Sequence, residues 1–323
     1  MAESSSRLAG LTQAQLDAWV EKAQTLSSRG QLPDYIPLLA QANPSWFALQ
    51  IQCTDGQVYT KGDVTLSFPL MSVVKPFMLL FLLEQLGTQV VFSHVGSKPS
   101  REPFNSLQQL EADGGWPRNS MLNSGAIVLA SLLPGQDARS RCSNLCPWLN
   151  QYSGCHLFVD EAMLSSVRSV PNQRNLAIAT LLTHSGYLDG METALDTYNH
   201  VCCLSGTVAD LALLGMGLVH DRGGILPEHC HAVLTLMTTC GLYQASSHFA
   251  SEVGLPTKSG VSGAIVSVVP SQGAICASLR DATRTQQRFA IACYSPPLDQ
   301  AGNSVTGLFL LQQIRQLISL AGC

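Results

Sequence analysis

Extended, β-rich runs lie near both ends of this 323-residue chain, with helical patterns between them. Residues 46–53 and 58–60 flank an Asp55-Gly56 turn, which marks a hairpin. Three further runs come about 200 residues later, over 263–269, 273–279 and 288–294, the first two around Pro270-Ser271-Gln272-Gly273. From Asn123 to about Thr239, apolar residues recur at helical spacing, broken by Pro/Gly/Cys-rich loops at 134–156 and 221–229. An isolated hairpin is marginal in water. The two groups of strands therefore predict one antiparallel sheet drawn from both chain termini and flanked by helices, with a helical lobe inserted: an α/β architecture whose interlobe cleft is the natural site. Leu11, Leu16, Trp19, Val20, Ala23 and Leu26 predict an amphipathic helix over 11–29 behind a Thr12 cap. A buried helix over 72–86 stops at Gly87, and another over 307–321 closes the chain.

Charge narrows the function classes. Only 12% of residues are charged, against roughly 25% in an average globular chain. That composition excludes wholesale disorder and predicts a large buried core, with further burial between subunits. The net charge of −4 argues against a nucleic-acid or membrane-surface partner. The most apolar stretch, 76–83, is far short of the ~20 residues that span a bilayer. The eleven cysteines are odd in number and scattered, and the first residues lack a secretory pattern, so free thiols in a cytoplasmic protein are expected. Cys142/Cys146/Cys155/His156 and His229/Cys230/His231/Cys240 lack the paired spacing of a zinc site, so neither metal nor cofactor is expected. No phosphate-binding glycine loop follows a strand, and Gly215-Met216-Gly217 reads as close helix packing. His184, His200, His220 and His248 read as surface or core residues.

Chemistry concentrates at Ser72-Val73-Val74-Lys75, an S-x-x-K tetrad opening a buried helix. Spacing of three places hydroxyl and amine on one face. A lysine buried there, with a second cation nearby, has its pKa pushed down and can act as a general base. Lys258-Ser259-Gly260, just before the strand at 264–269, supplies that second cation and, through the following backbone N–H, half of an oxyanion hole. S-x-x-K followed by K-[ST]-G is the motif order of the penicillin-recognising serine enzymes. Asn123, between the two, suits a polar wall of the cleft.

Met71–Pro76, Pro117-Arg118-Asn119 through Gly125-Ala126-Ile127, Cys240–Tyr243, Gly254–Gly263 and Pro297-Leu298-Asp299 with Gly302–Val305 together resemble the serine-dependent glutaminases, in order and with similar gaps from about residue 34 to 304. The resemblance implies a β-lactamase/transpeptidase-like fold and metal-free hydrolysis of L-glutamine to L-glutamate and ammonia. It implies Ser72 as nucleophile, Lys75 as its base and Tyr243 as a proton-transfer group. It also implies Tyr35, Asn123, Asn175 and Tyr198 around the amino-acid end, and the Val261 N–H in the oxyanion hole beside Lys258. On residue type alone, the tyrosines also fit half-buried packing and the asparagines fit caps or turns. A homodimer or homotetramer is implied as well.

One position departs. The family carries a Glu about seven residues before the Asn matched by Asn175, where it accepts from the substrate's α-ammonium. Here Val167 or Arg168 takes its place, and the nearest acid is Glu161. Two other readings therefore stay open: a serine amidohydrolase acting on a different amide, or a catalytically weak glutamine- or glutamate-binding protein. In domain terms, residues 1–30 read as a helical extension and 31–323 as one catalytic domain. Its sheet lobe spans about 31–75 and 255–323, and its helical lobe about 76–254.

Overall fold

Both groups of extended residues enter one sheet. The computed structural model describes residues 8, 11–219, 224–270 and 288–320; the strand expected at 273–279, and His220, lie outside them. The strands are β1 (Ala48–Cys53), β2 (Val58–Gly62), β3 (Phe68–Pro69), β4 (Phe158–Val159), β5 (Leu204–Gly206), β6 (Thr257–Ser259), β7 (Ala264–Val269) and β8 (Phe289–Tyr294). Five form an antiparallel sheet in the order β2-β1-β8-β7-β6. Ala48 stands opposite Tyr294 and Lys258 opposite Val266, so the Lys-Ser-Gly segment leaves the sheet along an edge strand.

The central strands β7 and β8 are buried without interruption because both faces of the sheet are covered. One face sends Leu49, Ile51, Ile265, Ile291 and Cys293 into a core shared with α1 (Gln13–Leu26) and with Leu310, Leu311 and Ile314 near the C-terminus. Thr12 caps α1 as expected, its hydroxyl accepting from the Gln15 N–H at 3.1 Å. The opposite face presents small residues, Ala264, Val266, Ala290 and Ala292, to the larger core of the helical lobe.

The helices that position the site are α2 (Lys75–Leu86), α3 (Asn123–Leu132), α4 (Glu161–Ser169), α5 (Gln173–His184), α6 (Met191–Cys202), α7 (Val208–Gly217) and α8 (Pro227–Cys240). Helix α7 lies across β1, β7 and β8; a Cβ on its Gly215 would stand 2.9 Å from that of Ala290, so a side chain there would force the layers apart. Helix α2, nearly all buried, runs against α3 and α8. Helix α9 (Val305–Leu320) closes the outer layer against α1. Among the described residues no helix is long and apolar enough to cross a membrane.

The sequence does not predict the second, three-stranded sheet, β3-β5-β4. Strands of two or three residues carry too little alternation to show. Yet they fix the approach to Ser72. Phe68 pairs with Gly206, the Leu70 N–H donates to the Leu204 carbonyl at 2.8 Å, and the Phe68 ring stacks on Tyr294 of the main sheet at 4.2 Å.

Candidate active site

The chain reaches Ser72 through a left-handed residue. Met71 has φ of 47°, and Met71–Val74 form a 3-10 turn before α2 begins at Lys75. The expected helix start at Ser72 is thus a tighter turn, in which positions i and i+3 eclipse, so Ser72 and Lys75 still line up. Gly260 packs directly behind: a Cβ there would stand 2.6 Å from the Leu70 carbonyl and 3.3 Å from the Ser72 nitrogen. Only glycine allows that approach, which brings the next residue, Val261, beside the nucleophile turn. Among the described residues neither the Ser72 nor the Val261 backbone N–H has a hydrogen-bond partner. Two uncommitted donors at the serine match the requirement for holding an oxyanion.

Lys75 is fully buried. Its Nζ donates to the Met121 carbonyl at 3.1 Å and to the Asn123 Oδ1 at 2.8 Å, and burial pushes its pKa down to about 7. A neutral amine has two N–H donors and one lone pair. Both donors are committed, which leaves the lone pair for the Ser72 hydroxyl one turn away. The network continues outward: the Tyr198 hydroxyl donates to Asn123 Oδ1 at 3.1 Å, and Asn123 Nδ2 donates to Asn175 Oδ1 at 2.8 Å. Helices α2, α3, α5 and α6 each supply one member.

Tyr243 stands on the other side of Ser72. It too is left-handed, with φ of 58°; among the described residues Met71 and Tyr243 are the only non-glycine residues with positive φ. Such backbone costs about 1–3 kcal/mol and persists where the surroundings over-determine it, commonly at functional sites. The Tyr243 hydroxyl donates to the Ser259 carbonyl at 3.0 Å. Burial pushes its pKa up to about 12, against a downward pull from hydrogen bonding to Ser259 and Ser72.

Lys258 does not face the cleft. It is fully buried behind Tyr243, 4.2 Å from the ring centroid, and donates to the Gly241 and Ser259 carbonyls at 2.8 and 2.7 Å. The sequence places it among substrate contacts; the structure places it against the tyrosine. Burial, with Lys75 nearby, holds its pKa well below the usual lysine value.

The mouth is a cleft of about 380 Å³ lined by Tyr35, Phe104, Val261, Arg29 and the 298–302 loop. Tyr35 is 46% exposed there, whereas Asn123, Asn175 and Tyr198 are buried. Where the family's acid is expected, Val167 packs into the core and Arg168 pairs with Asp196 at 2.7 Å, outside the pocket. Among the described residues no carboxylate hydrogen-bonds to Lys75, Asn123, Asn175, Tyr198 or Tyr243.

Three participants escape the sequence. Asn303 accepts from the Ser259 hydroxyl at 2.6 Å across 44 residues, a pairing no local pattern signals. The left-handed state of Met71 has no signal in a methionine. Cys202, four residues after Tyr198 on α6, meets Tyr198 and Lys75 electrostatically, its pKa pushed up to about 11 by burial despite the opposing pull of Lys75. Helical spacing from Tyr198 would have found it.

The chain matches the family model described as glutaminase over residues 30–321. A glutaminase of Synechocystis sp. is 43% identical over 309 residues, covering 96% of this chain and 90% of that one. Among solved structures, a Bacillus subtilis probable glutaminase superposes with a TM-score of 0.84 at 32% identity, covering 95% of this chain and 96% of that one. The covalent complex of a Bacillus subtilis glutaminase with 5-oxo-L-norleucine, formed from 6-diazo-5-oxo-L-norleucine, gives 0.82 at 31% identity, with 95% and 98% covered.

Proposed function

This chain belongs to the glutaminase family, and from that premise we propose that it hydrolyses L-glutamine to L-glutamate and ammonia through an acyl-enzyme on Ser72. The observation that carries the mechanism is the Lys75 amine, buried, pushed down to about 7 and with both N–H groups already engaged. Its lone pair takes the Ser72 proton as Oγ bonds to the side-chain amide carbon. The Ser72 and Val261 N–H groups hold the oxyanion. The carbon–nitrogen bond then breaks, and the departing nitrogen takes the proton back from Lys75, with the Tyr243 hydroxyl as the alternative donor. Water attacks the ester, gives its proton to Lys75 and releases glutamate, and Ser72 recovers its hydrogen.

Asn175, its Oδ1 occupied by Asn123, turns its NH₂ to the substrate carboxylate, and Tyr35 covers the mouth. Lys258 acts through Tyr243. The test is ammonia release from glutamine by wild type beside Ser72→Ala. Loss of at least about 10⁴-fold in kcat is expected; equal rates would refute the assignment.

A second reading has its own observation. With Arg168 paired to Asp196, the position where the family's acid is expected offers no carboxylate to an α-ammonium, which removes a charge-assisted bond of about 1.5–3 kcal/mol, or roughly tenfold to 150-fold in affinity. Amides whose amine is blocked are then tolerated. N-acetylglutamine is expected within about tenfold of glutamine in kcat/KM; discrimination above about 10³-fold would show that another group reads the amine.

Eight of the described cysteines, all buried, are free thiols, which supports a reducing, cytoplasmic setting. The low charge content supports a dimer or tetramer, and residues 31–323 work as one catalytic unit behind the 1–30 extension.

A further inference from the structure

The Ser259 carbonyl is a junction. It accepts from the Tyr243 hydroxyl at 3.0 Å and from Lys258 Nζ at 2.7 Å. Because the phenol's hydrogen points there in the resting site, its oxygen presents a lone pair to Ser72. The direction in which that peptide unit points therefore sets the direction of the Tyr243 proton. Ser259 is the last residue of an edge strand, and the next residue is the glycine packed against the Ser72 nitrogen. Beyond the ladder, what holds it is its side chain: the Ser259 hydroxyl donates to Asn303 Oδ1 at 2.6 Å, with both residues fully buried.

Asn303 is itself fixed by a turn. Asp299 Oδ1 accepts from the Ala301 and Asn303 N–H groups, each at 2.9 Å, and the Asp299 N–H donates to the Asn303 carbonyl at 2.8 Å. The same turn forms one wall of the cleft through Asp299, Gln300, Ala301 and Gly302. Among the described residues the Asn303 Nδ2 has no hydrogen-bond partner. A buried donor left unpaired is unfavourable and demands a reason for keeping the amide. The bond its oxygen makes is such a reason.

We propose that Asn303 is a positioning residue: through the Ser259 hydroxyl it holds the Ser259 carbonyl where Tyr243 and Lys258 both reach it, and Gly260 where it backs Ser72. The inference rests on the functional reading above, since it concerns the rate of that reaction.

The experiment compares wild type, Asn303→Ala, Ser259→Ala, the double variant and Ser259→Thr in steady-state ammonia release from glutamine. Ser259→Ala removes only one hydroxyl and serves if Asn303→Ala does not fold. Each single variant is expected to lower kcat by roughly tenfold to 100-fold with KM changed less than about twofold, since the loss is one of alignment. The double variant is expected to match the singles, because both delete one bond. Threonine at 259 restores the hydroxyl and is expected to recover kcat relative to alanine. Unchanged kcat in the single variants, losses that multiply in the double, or no recovery with threonine would each overturn the proposal. Wild type that releases no ammonia from glutamine would instead overturn the functional reading. The same five proteins would then judge Asn303 by the rate at which 6-diazo-5-oxo-L-norleucine labels Ser72, with the same ordering expected.

Discussion

The two ends of α2 bury ionisable groups in opposite ways. At its first residue, Lys75 has only a carbonyl and an amide oxygen for partners, no carboxylate among the described residues, and a second buried amine, Lys258, close enough to lower one pKa through the other. In its last turn, Glu84 accepts from the Leu226 N–H at 3.1 Å and pairs with the buried His229 of α8 at 2.6 Å. One helix thus carries an uncompensated charge site and a compensated one. A largely buried acid hydrogen-bonded to a buried imidazole holds two helices in register, whereas a buried amine without a carboxylate partner is poised to give up its proton. Backbone strain follows the same division, since Met71 and Tyr243 both belong to the uncompensated end.

Removing the uncompensated amine gives the largest expected effect, with activity and stability moving in opposite directions. Lys75→Met is expected to lower kcat by at least about 10³-fold, having no base for Ser72. Its stability should rise. Burial takes the Lys75 pKa from 10.5 to about 7, so between those pH values the unfolded chain binds a proton that the folded chain does not. Stability then increases with pH across that window, reaches its full value above 10.5 and is lowest at and below 7. At neutral pH the folded protein forgoes up to about 5 kcal/mol, part of it returned by two hydrogen bonds. A gain of about 2–5 °C in Tm at pH 7 is therefore expected, shrinking by pH 10. In wild type, kcat/KM should climb through about pH 7 as Lys75 deprotonates. A variant less stable than wild type at pH 7, or a wild-type profile flat from pH 6 to 8, would remove the distinction between the two ends.

The other end should behave in reverse. His229→Ala leaves Glu84 buried without its partner and is expected to cost about 3–5 kcal/mol in chemical unfolding. The folded fraction should keep kcat within about twofold, since the pair touches no reacting group. Glu84→Gln keeps an acceptor for the Leu226 N–H and should cost less, about 1–2 kcal/mol. If kcat in His229→Ala falls as far as in Lys75→Met, the pair is part of the chemistry and the contrast fails.

Much of this was legible in the chain itself, for particular reasons. Ser72 and Lys75 stand out because an apolar helix does not ordinarily open on such residues, and Lys258 because its Lys-Ser-Gly motif comes just before a β-rich run. The five-stranded sheet is legible because two distant β-rich groups need each other. The β3-β5-β4 sheet is not, because its strands are too short to show a period. The Glu84–His229 and Ser259–Asn303 pairs span 145 and 44 residues, and nothing local in either partner names the other. The sequence puts Lys258 at the site, and the structure packs it behind Tyr243. Motif order brings residues to one cleft without saying which of them face it.

The smallest effect tests the strain at the nucleophile turn. Met71 is 3% exposed and left-handed, so its replacements divide into a packing part and a backbone part. Leucine nearly conserves volume, and Met71→Leu should cost less than about 1.5 kcal/mol. Isoleucine adds little further change in volume, but a β-branched residue at positive φ is a conformational outlier. Met71→Ile should therefore cost about 1–2 kcal/mol more than Met71→Leu. Because φ at 71 aims the Ser72 N–H, kcat should also fall by roughly tenfold in Met71→Ile and hardly at all in Met71→Leu. Urea unfolding and steady-state kinetics on the two variants separate the parts. If the isoleucine and leucine variants coincide in both measurements, the left-handed turn relaxes without penalty, and only charge then distinguishes the catalytic end of α2 from the structural one.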